Sequence, residues 1–192
     1  MIRPLLLSVG AIPLRSAQVQ RARRRIAPFL DWLRPHERLL DVGTGTGAAA
    51  LLLQTQNSVV AMDVRPELLF PDIPALVYDG VRIPFPDHTF DTVVLLTVLH
   101  HCTRPLTLAR ECRRVGRQVI VVEDLISSPW NRRWTRAVDR ILNLEFRRPP
   151  QAQASHRQWM TRFQALGFQV EEVRFRRAVT GVQLGYYRLT SR

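Results

Sequence analysis

The chain has 192 residues, which is enough for one large domain and too few for two comfortable ones. Hydrophobic residues make up 46% of it, which excludes wholesale disorder, and its longest uncharged apolar runs are far below the ~20 residues of a membrane span. The formal net charge is +12, and all 28 basic residues are arginine. Because these arginines are scattered and lysine is absent, we interpret the charge as a compositional bias. A nucleic acid or an acidic membrane surface is the less favoured partner.

The N-terminal residues and the two cysteines are the features that predict the cellular compartment of the protein. Residues 1–12 combine one positive charge, on Arg3, with a short apolar stretch, as a signal peptide would. No clean small-residue cleavage site follows, and an arginine cluster at 21–25 comes soon after. The two cysteines, Cys102 and Cys112, do not suggest a disulfide framework. The prediction is a cytoplasmic protein with free thiols.

The first half of the chain alternates between strands and helices. Residues 1–35 form an N-terminal helical segment, with a helix over 16–33 that Pro28 interrupts because proline lacks an amide donor. The elements predicted next are a strand over 38–42, a helix over 48–54, and strands over 58–62, 75–78 and 92–97. The last of these is apolar on both faces, which is typical of a buried parallel strand.

The second half continues the alternation with one interruption. The predicted elements are a helix over 104–115 closed by Gly116, a strand over 118–123, a helix over 130–145, a helix from the capping box at Ser155 to Gly167, and strands over 169–176 and 185–190. This alternation predicts one α/β domain over 1–192, with helices on both faces of a mostly parallel sheet. Residues 129–154 depart from the pattern, and we interpret them as a cap insertion.

A glycine-rich turn follows the first strand and opens the next helix. Segment 41–47 reads Asp-Val-Gly-Thr-Gly-Thr-Gly, so a ligand can approach its backbone and the free amides of the helix N-terminus. Gly43, Gly45 and Ala48 also satisfy the dinucleotide pattern G-x-G-x-x-G/A, which leaves a nicotinamide cofactor as an alternative. Asp63, which closes the second strand, can pair with ribose hydroxyls in either case.

Further segments of the sequence bear on which cofactor the glycine-rich turn binds. Segment 60–64 reads Val-Ala-Met-Asp-Val, segment 83–91 reads Ile-Pro-Phe-Pro-Asp-His-Thr-Phe-Asp, and segment 98–101 reads Val-Leu-His-His. With 41–47, in this order, they resemble the motifs of class I, Rossmann-like S-adenosylmethionine-dependent methyltransferases, in particular the type 11 small-molecule subfamily. The resemblance implies S-adenosyl-L-methionine as the cofactor. It also implies a seven-stranded, mostly parallel sheet whose last strand is antiparallel.

The resemblance also assigns cofactor contacts. The cofactor-binding residues it implies are Asp41, Gly43, Thr44, Gly45, Gly47, Asp63, Val64, Asp79, Gly80, Leu96 and Thr97. Asp63 would take the ribose hydroxyls, with capping of the turn at Pro66 as the alternative. Asp79 would meet the adenine amino group, with an ordinary Asp-Gly turn as the alternative. Asp91, at the start of the fourth strand, is interpreted as a structural cap.

The predicted catalytic residues are His100 and His101. Methyl transfer from an activated donor mainly needs a well-positioned acceptor, and a general base matters when the nucleophile arrives protonated. Both histidines follow the fourth strand, where such a base could act, and packing or shaping of the loop is the alternative. The pair Glu123-Asp124 ends the fifth strand and faces the same crevice. No metal is predicted, because Leu96 and Thr97 stand where acidic ligands would be needed.

The sequence favours a small-molecule acceptor. The turn after the fourth strand lacks the Asn/Asp-Pro-Pro-aromatic pattern of base-amine methyltransferases, and neither cysteine follows a proline as a base-carbon nucleophile would. Aromatic residues in or beside the cap, namely Trp130, Trp134, Phe146 and Trp159, could cover an apolar acceptor. The alternatives are an RNA or other nucleic-acid methyltransferase that uses the arginine surface, and a catalytically silent cofactor-binding protein.

Overall fold

A computed structural model describes residues 6–65, 68, 70, 72–126, 153–178 and 181–191. Its strands are β1 (Arg38–Val42), β2 (Ser58–Asp63), β3 (Ala75–Val77), β4 (Phe90–Leu96), β5 (Gly116–Leu125), β6 (Phe168–Arg177) and β7 (Gln183–Ser191). Its helices are α1 (Leu6–Ile26), α2 (Ala48–Leu53), α3 (Pro105–Val115) and α4 (His156–Ala165), with 3-10 turns at Ala27–Trp32 and Leu99–His101. No helix within these ranges is long and apolar enough to cross a membrane.

The strands form one seven-stranded sheet in the order β3-β2-β1-β4-β5-β7-β6. β1 pairs in parallel with both β2 and β4, whereas β7 runs antiparallel to both β5 and β6. The expected α/β sheet with an antiparallel last strand is therefore confirmed. Because the chain leaves β1 toward β2 on one side and returns on the other with β4, the strand order switches beside β1. Open sheets bind ligands at the carboxyl edge of such a switch.

Each face of the sheet carries its own core. On the first face, the end of α1 and the 3-10 turn after it pack Ile26, Phe29 and Trp32 against the sheet. On the second face, α3 and α4 contribute Leu108, Ala109, Cys112, Val115, Trp159 and Phe163. Successive strand residues alternate between the faces, so Val122 belongs to the first core and Val121 to the second.

Arg174 on β6 ties the N-terminal segment to the first face. Its guanidinium contacts both Asp31 carboxylate oxygens, at 2.7 and 2.8 Å, and donates to the Pro28 carbonyl at 2.7 Å. The same group lies 4.6 Å from the centre of the Trp32 ring, a cation–π contact. These contacts fix the 3-10 turn after α1 on the first face of the sheet.

Several predicted boundaries need correction. The helix predicted to start at Ser16 begins at Leu6, because a single proline, Pro13, removes one amide donor without ending the helix. Strands β4 to β7 are longer than predicted, since ladder pairing extends to residues without an alternating pattern. The break at Pro28 and the capping box at Ser155 are confirmed. The helix predicted over 130–145, and all but the end of the predicted cap, lie outside the described residues.

Gly116 closes α3 as predicted and has a second role as the first residue of β5. Its amide donates to the Cys112 carbonyl, and its φ of −112° is an extended conformation. A Cβ at this position would lie 2.5 Å from Val93 Cγ2 on the neighbouring strand. Glycine is therefore required here for the close approach of β4 and β5.

Candidate functional site

The glycine loop of residues 43–47 connects β1 to α2 at the carboxyl edge. The amides of Gly43 and Thr44 donate to the Met62 carbonyl at 2.8 and 3.1 Å, which anchors the loop on β2. Gly43 has a φ of +74°, and a Cβ there would lie 2.6 Å from Val98 Cγ2, so both conformation and space require glycine. By contrast, a Cβ on Gly45 would meet nothing within 4 Å. The loop thus presents bare backbone to open space.

Asp41 is buried beneath this loop, where the Thr44 hydroxyl offsets only part of the effect of burial on its carboxyl. The residue is 1% exposed, and burial raises the pKa of its carboxyl to about 6, with a further rise from Asp63 and an opposing effect from the nearby Thr44 hydroxyl. Among the described residues, neither Asp41 Oδ2 nor Thr44 Oγ1 has a hydrogen-bond partner. Buried polar atoms are rarely left unpaired in folded proteins. Both atoms therefore could accept hydrogen bonds from a polar or cationic ligand group.

Asp63 lies beside the loop at the end of β2. Its Oδ2 accepts a hydrogen bond from the Gly45 amide at 2.8 Å, and its Oδ1 accepts one from the Arg65 amide at 3.0 Å. The second bond is the turn cap named as the alternative. Each carboxylate oxygen can accept more than one hydrogen bond, so Asp63 retains capacity for two ligand hydroxyls. Next to it, Val64 is 47% exposed, and a Cβ on Gly80 would lie 2.9 Å from Val64 Cγ1.

Asp79 is exposed, and backbone amides of its own turn already donate to its carboxylate. Its Oδ1 accepts hydrogen bonds from the amides of Val81 and Arg82 at 2.8 and 2.9 Å. These backbone bonds hold the pKa of the carboxyl below its ordinary value. The geometry is that of the ordinary turn named as the alternative, and contact with an adenine amino group stays a prediction.

The end of β4 is tied to α1. Thr97 has a φ of +59°, and its amide donates to the Val122 carbonyl on β5 at 2.7 Å. Its hydroxyl lies 2.6 Å from the Leu96 carbonyl and accepts from Arg25 Nη1 at 3.0 Å. A helix residue remote in sequence therefore helps to hold the strand end in a conformation that β-branched residues seldom adopt.

Glu123 holds the 3-10 turn that carries both histidines. Its Oε1 accepts from the Leu99 amide at 2.7 Å, and its Oε2 lies 2.5 Å from Nδ1 of His100, which is fully buried. The ring of His101 lies 4.0 Å from that of His100, centre to centre. Burial lowers the pKa of His101 to about 3, assisted by His100 and Arg25, so its imidazole is a weak base at neutral pH. These contacts agree with the packing alternative for the two histidines.

The structure adds two residues that the sequence did not single out, Arg25 and Tyr186. Arg25 is one of many arginines on α1, and Tyr186 is one of two adjacent tyrosines on β7, so no local signal distinguished either. Of the four aromatic residues placed in or beside the cap, only Trp159 lies within the described residues, where it is core. Within those residues, no group of three or more histidine, cysteine or acidic side chains could hold a metal ion.

Comparison with known proteins bears on the same site. Residues 40–119 match the family model described as "Methyltransferase domain". A demethylmenaquinone methyltransferase from Streptomyces griseus is 32% identical over 112 residues, 53% of this chain and 48% of that protein. A 27-O-demethylrifamycin SV methyltransferase from Amycolatopsis mediterranei is 33% identical over 107 residues, 48% of this chain and 39% of that protein. The chain thus spans about half or less of these curated relatives.

The fold likeness extends further than the sequence likeness. A solved structure of an S-adenosylmethionine-dependent methyltransferase from Thermotoga maritima superimposes with a TM-score of 0.70 at 16% identity. The superposition covers 96% of this chain and 96% of that one. At 16% identity this match shows a shared fold and nothing about activity. The matched family segment contains the glycine loop, the end of β2 and the whole of β4.

Proposed function

We propose that the chain is a class I, Rossmann-like S-adenosylmethionine-dependent methyltransferase that transfers a methyl group to a small-molecule acceptor. The observation that carries the proposal is the buried Asp41 carboxyl beneath an open glycine loop, whose Oδ2 has no hydrogen-bond partner among the described residues. An α-ammonium group is the part of the cofactor that would satisfy this carboxylate, either directly or through water. A nicotinamide dinucleotide has no such group and would bring its pyrophosphate close to a negative charge.

The remaining cofactor contacts follow the strand ends. Asp63 would accept hydrogen bonds from the two ribose hydroxyls while still holding the Gly45 amide. Val64 and Gly80, which lie against each other, would form the surface for the adenine ring, with Asp79 at its edge. The backbone of Leu96 and Thr97 would line the methionine end. Gly43, Thr44, Gly45 and Gly47 would supply the close backbone approach.

Methyl transfer depends more on the position of the acceptor than on acid–base groups. S-adenosylmethionine supplies a methyl group that is already activated for displacement. The chain has to hold the acceptor in line with that methyl group and exclude water. The Arg25–Thr97 and Glu123–Leu99 hydrogen bonds serve this purpose, because they fix the loop at the end of β4 from both faces of the sheet.

A small molecule is the acceptor class that the two curated relatives described above support. The names of the two curated relatives given above refer to small-molecule acceptors, a demethylated menaquinone and a demethylated rifamycin. A nucleic-acid acceptor would use the arginine-rich surface, and its binding would weaken steeply with salt. Residues 132–148, which hold one of the two densest arginine groups, lie outside the described part of the chain.

Calorimetry with S-adenosylmethionine and S-adenosylhomocysteine tests the proposal. Both should bind, and NAD should not compete with either. Asp63→Ala should fold and weaken cofactor binding at least about tenfold, because charge-assisted hydrogen bonds contribute about 1.5–3 kcal/mol. The charge-matched control is Asp87→Asn, at an exposed carboxylate before β4, which should bind normally. Tight NAD binding, or no binding of S-adenosylhomocysteine by folded protein, would overturn the assignment.

A further inference from the structure

Strand β6 lies at the end of the sheet and pairs on one side. Within the described part of the chain, β7 is the strand that pairs with it. The Ala178 amide donates to the Val182 carbonyl next to β7 at 2.7 Å, so the backbone polar groups of Ala178 point toward β7. Because these groups alternate along a strand, those of Val173, Phe175 and Arg177 point away from β7. They form an edge that can pair with another strand.

Strand β6 carries opposite charges in its two halves. Its first half holds Glu171 and Glu172, and its second half holds Arg174, Arg176 and Arg177. A parallel copy of β6 would set like charges against each other. An antiparallel copy would set the acidic half of one strand against the basic half of the other. The charges on β6 therefore complement a second copy of the strand that runs antiparallel to it.

The two faces of the β6 edge differ in chemistry. On the second face, Phe175 is 45% exposed, and Val173 packs partly buried against the core. On the first face, Glu172 accepts a hydrogen bond from the Trp32 indole at 2.9 Å. Arg176 follows four residues later on this same face and is exposed. The edge thus presents an apolar pair on one face and a glutamate with an arginine on the other.

We propose that two copies of this chain form a dimer by antiparallel pairing of their β6 strands, about a two-fold axis at Arg174. The axis is perpendicular to the sheet, so the two seven-stranded sheets join into one and corresponding faces stay on the same side. Val173 of each copy lies opposite Phe175 of the other, and the two residues exchange backbone hydrogen bonds. On the first face, Glu172 of each copy lies opposite Arg176 of the other.

Neighbouring registers match less well than the one centred on Arg174. An axis at Phe175 would set Arg174 of each copy against Arg176 of the other, which makes two like-charge pairs. An axis at Val173 would leave Phe175 opposite the bulge near the start of β6. With the axis at Arg174, the two Arg174 side chains meet, and each is compensated by Asp31 of its own chain at 2.7 and 2.8 Å.

Sedimentation velocity and light scattering of the full chain at about 1–100 µM test this inference. At about 0.15 M salt, the net charge of +12 on each chain is screened beyond about 8 Å, whereas charges in contact across the interface still act. We expect a species with twice the 22.2 kDa mass of one chain.

A charge reversal on β6 tests the predicted register. Arg176→Glu should raise the dissociation constant of the dimer at least about tenfold, because two symmetry-related attractive pairs become repulsive. Arg157→Glu is the matched control, since it makes the same charge reversal at an exposed arginine of α4 and should dimerise like wild type.

A proline substitution tests the backbone pairing. Phe175→Pro removes an amide that points away from β7, so the variant should fold and be monomeric. Phe175→Ala keeps that amide, so its dimer should be weaker than that of wild type and stronger than that of the proline variant. Circular dichroism and thermal unfolding check the fold of each variant. If Phe175→Pro does not fold, Arg176→Glu decides the question, because it changes an exposed side chain.

Four results would overturn the inference. The first is a wild-type chain that stays monomeric up to about 100 µM. The second is an Arg176→Glu variant that dimerises like wild type, and the third is an equal loss of dimer in Arg157→Glu. The fourth is a folded Phe175→Pro variant that still dimerises like wild type, which would place the interface elsewhere on the molecule.

Discussion

Replacing Asp41 by asparagine should stabilise the protein while weakening cofactor binding. The carboxyl is buried, and its pKa is raised from an ordinary 3.8 to about 6. At about 1.4 kcal/mol per pH unit, this rise costs the folded state up to about 3 kcal/mol once the group is ionised. Asparagine keeps the shape and removes the charge, although its amide hydrogens also need partners. We therefore expect a net gain of about 1–3 kcal/mol at neutral pH.

The sign of the pH dependence follows from the same values. Because the folded protein holds the Asp41 proton more tightly than the unfolded chain does, the wild-type protein loses stability as the pH rises from about 4 to about 6. Above about pH 7 the Asp41 carboxyl is ionised in the folded and the unfolded protein, so the loss of stability no longer changes with pH. The Asn variant lacks this contribution, so its advantage in free energy of unfolding should grow between pH 4 and 6 and then level off. For a chain of this length, 1–3 kcal/mol corresponds to about 3–10 °C in Tm.

Denaturant and thermal unfolding between pH 4 and 8, together with calorimetry of S-adenosylhomocysteine, measure both effects. The affinity of Asp41→Asn should fall at least about tenfold, because the variant no longer offers a carboxylate to the ammonium group. Asp87→Asn, an exposed carboxylate before β4, serves as the control and should change neither quantity beyond about 0.5 kcal/mol. An Asn variant that is less stable at pH 8, or one that binds the ligand like wild type, would refute the reasoning.

Three further variants test the supports of the site. Gly43→Ala should lose about 2 kcal/mol of stability in thermal unfolding, from its positive φ and the contact with Val98, and adding Val98→Ala should restore only the part due to contact. Glu123→Ala leaves two buried partners unsatisfied, so urea unfolding should show a loss of about 2–4 kcal/mol; a neutral result would mean that the turn is held elsewhere. Trp134, in the predicted cap, lies outside the described residues. Trp134→Ala should lower acceptor turnover more than cofactor affinity, and equal losses would place this helix in the core.

The conformation of the glycine loop could be predicted from the sequence because the residues that determine it are close together in the chain. A strand, a turn with glycine at fixed spacing and a helix follow one another within residues 38–53, so the pattern itself specifies the conformation. Asp63 was placed at the edge of the next strand for the same reason. The conformation of the glycine loop, the position of Asp63 and the sheet class therefore followed from segments that are each a few residues long.

The polar contacts at the ends of β4 and β5 depended on tertiary structure. Glu123 reaches His100 and the Leu99 amide because strand alternation turns it to the second face, whereas Asp124 beside it takes the first face. Arg25 meets Thr97 only because α1 folds back over β4 across 72 positions of sequence. Hydrophobic periodicity records which residues are buried, but it does not record which distant polar groups come together. Burial changes the pKa of His101 and Asp41 only once the surrounding elements have packed and excluded water, so these properties belong to the assembled fold.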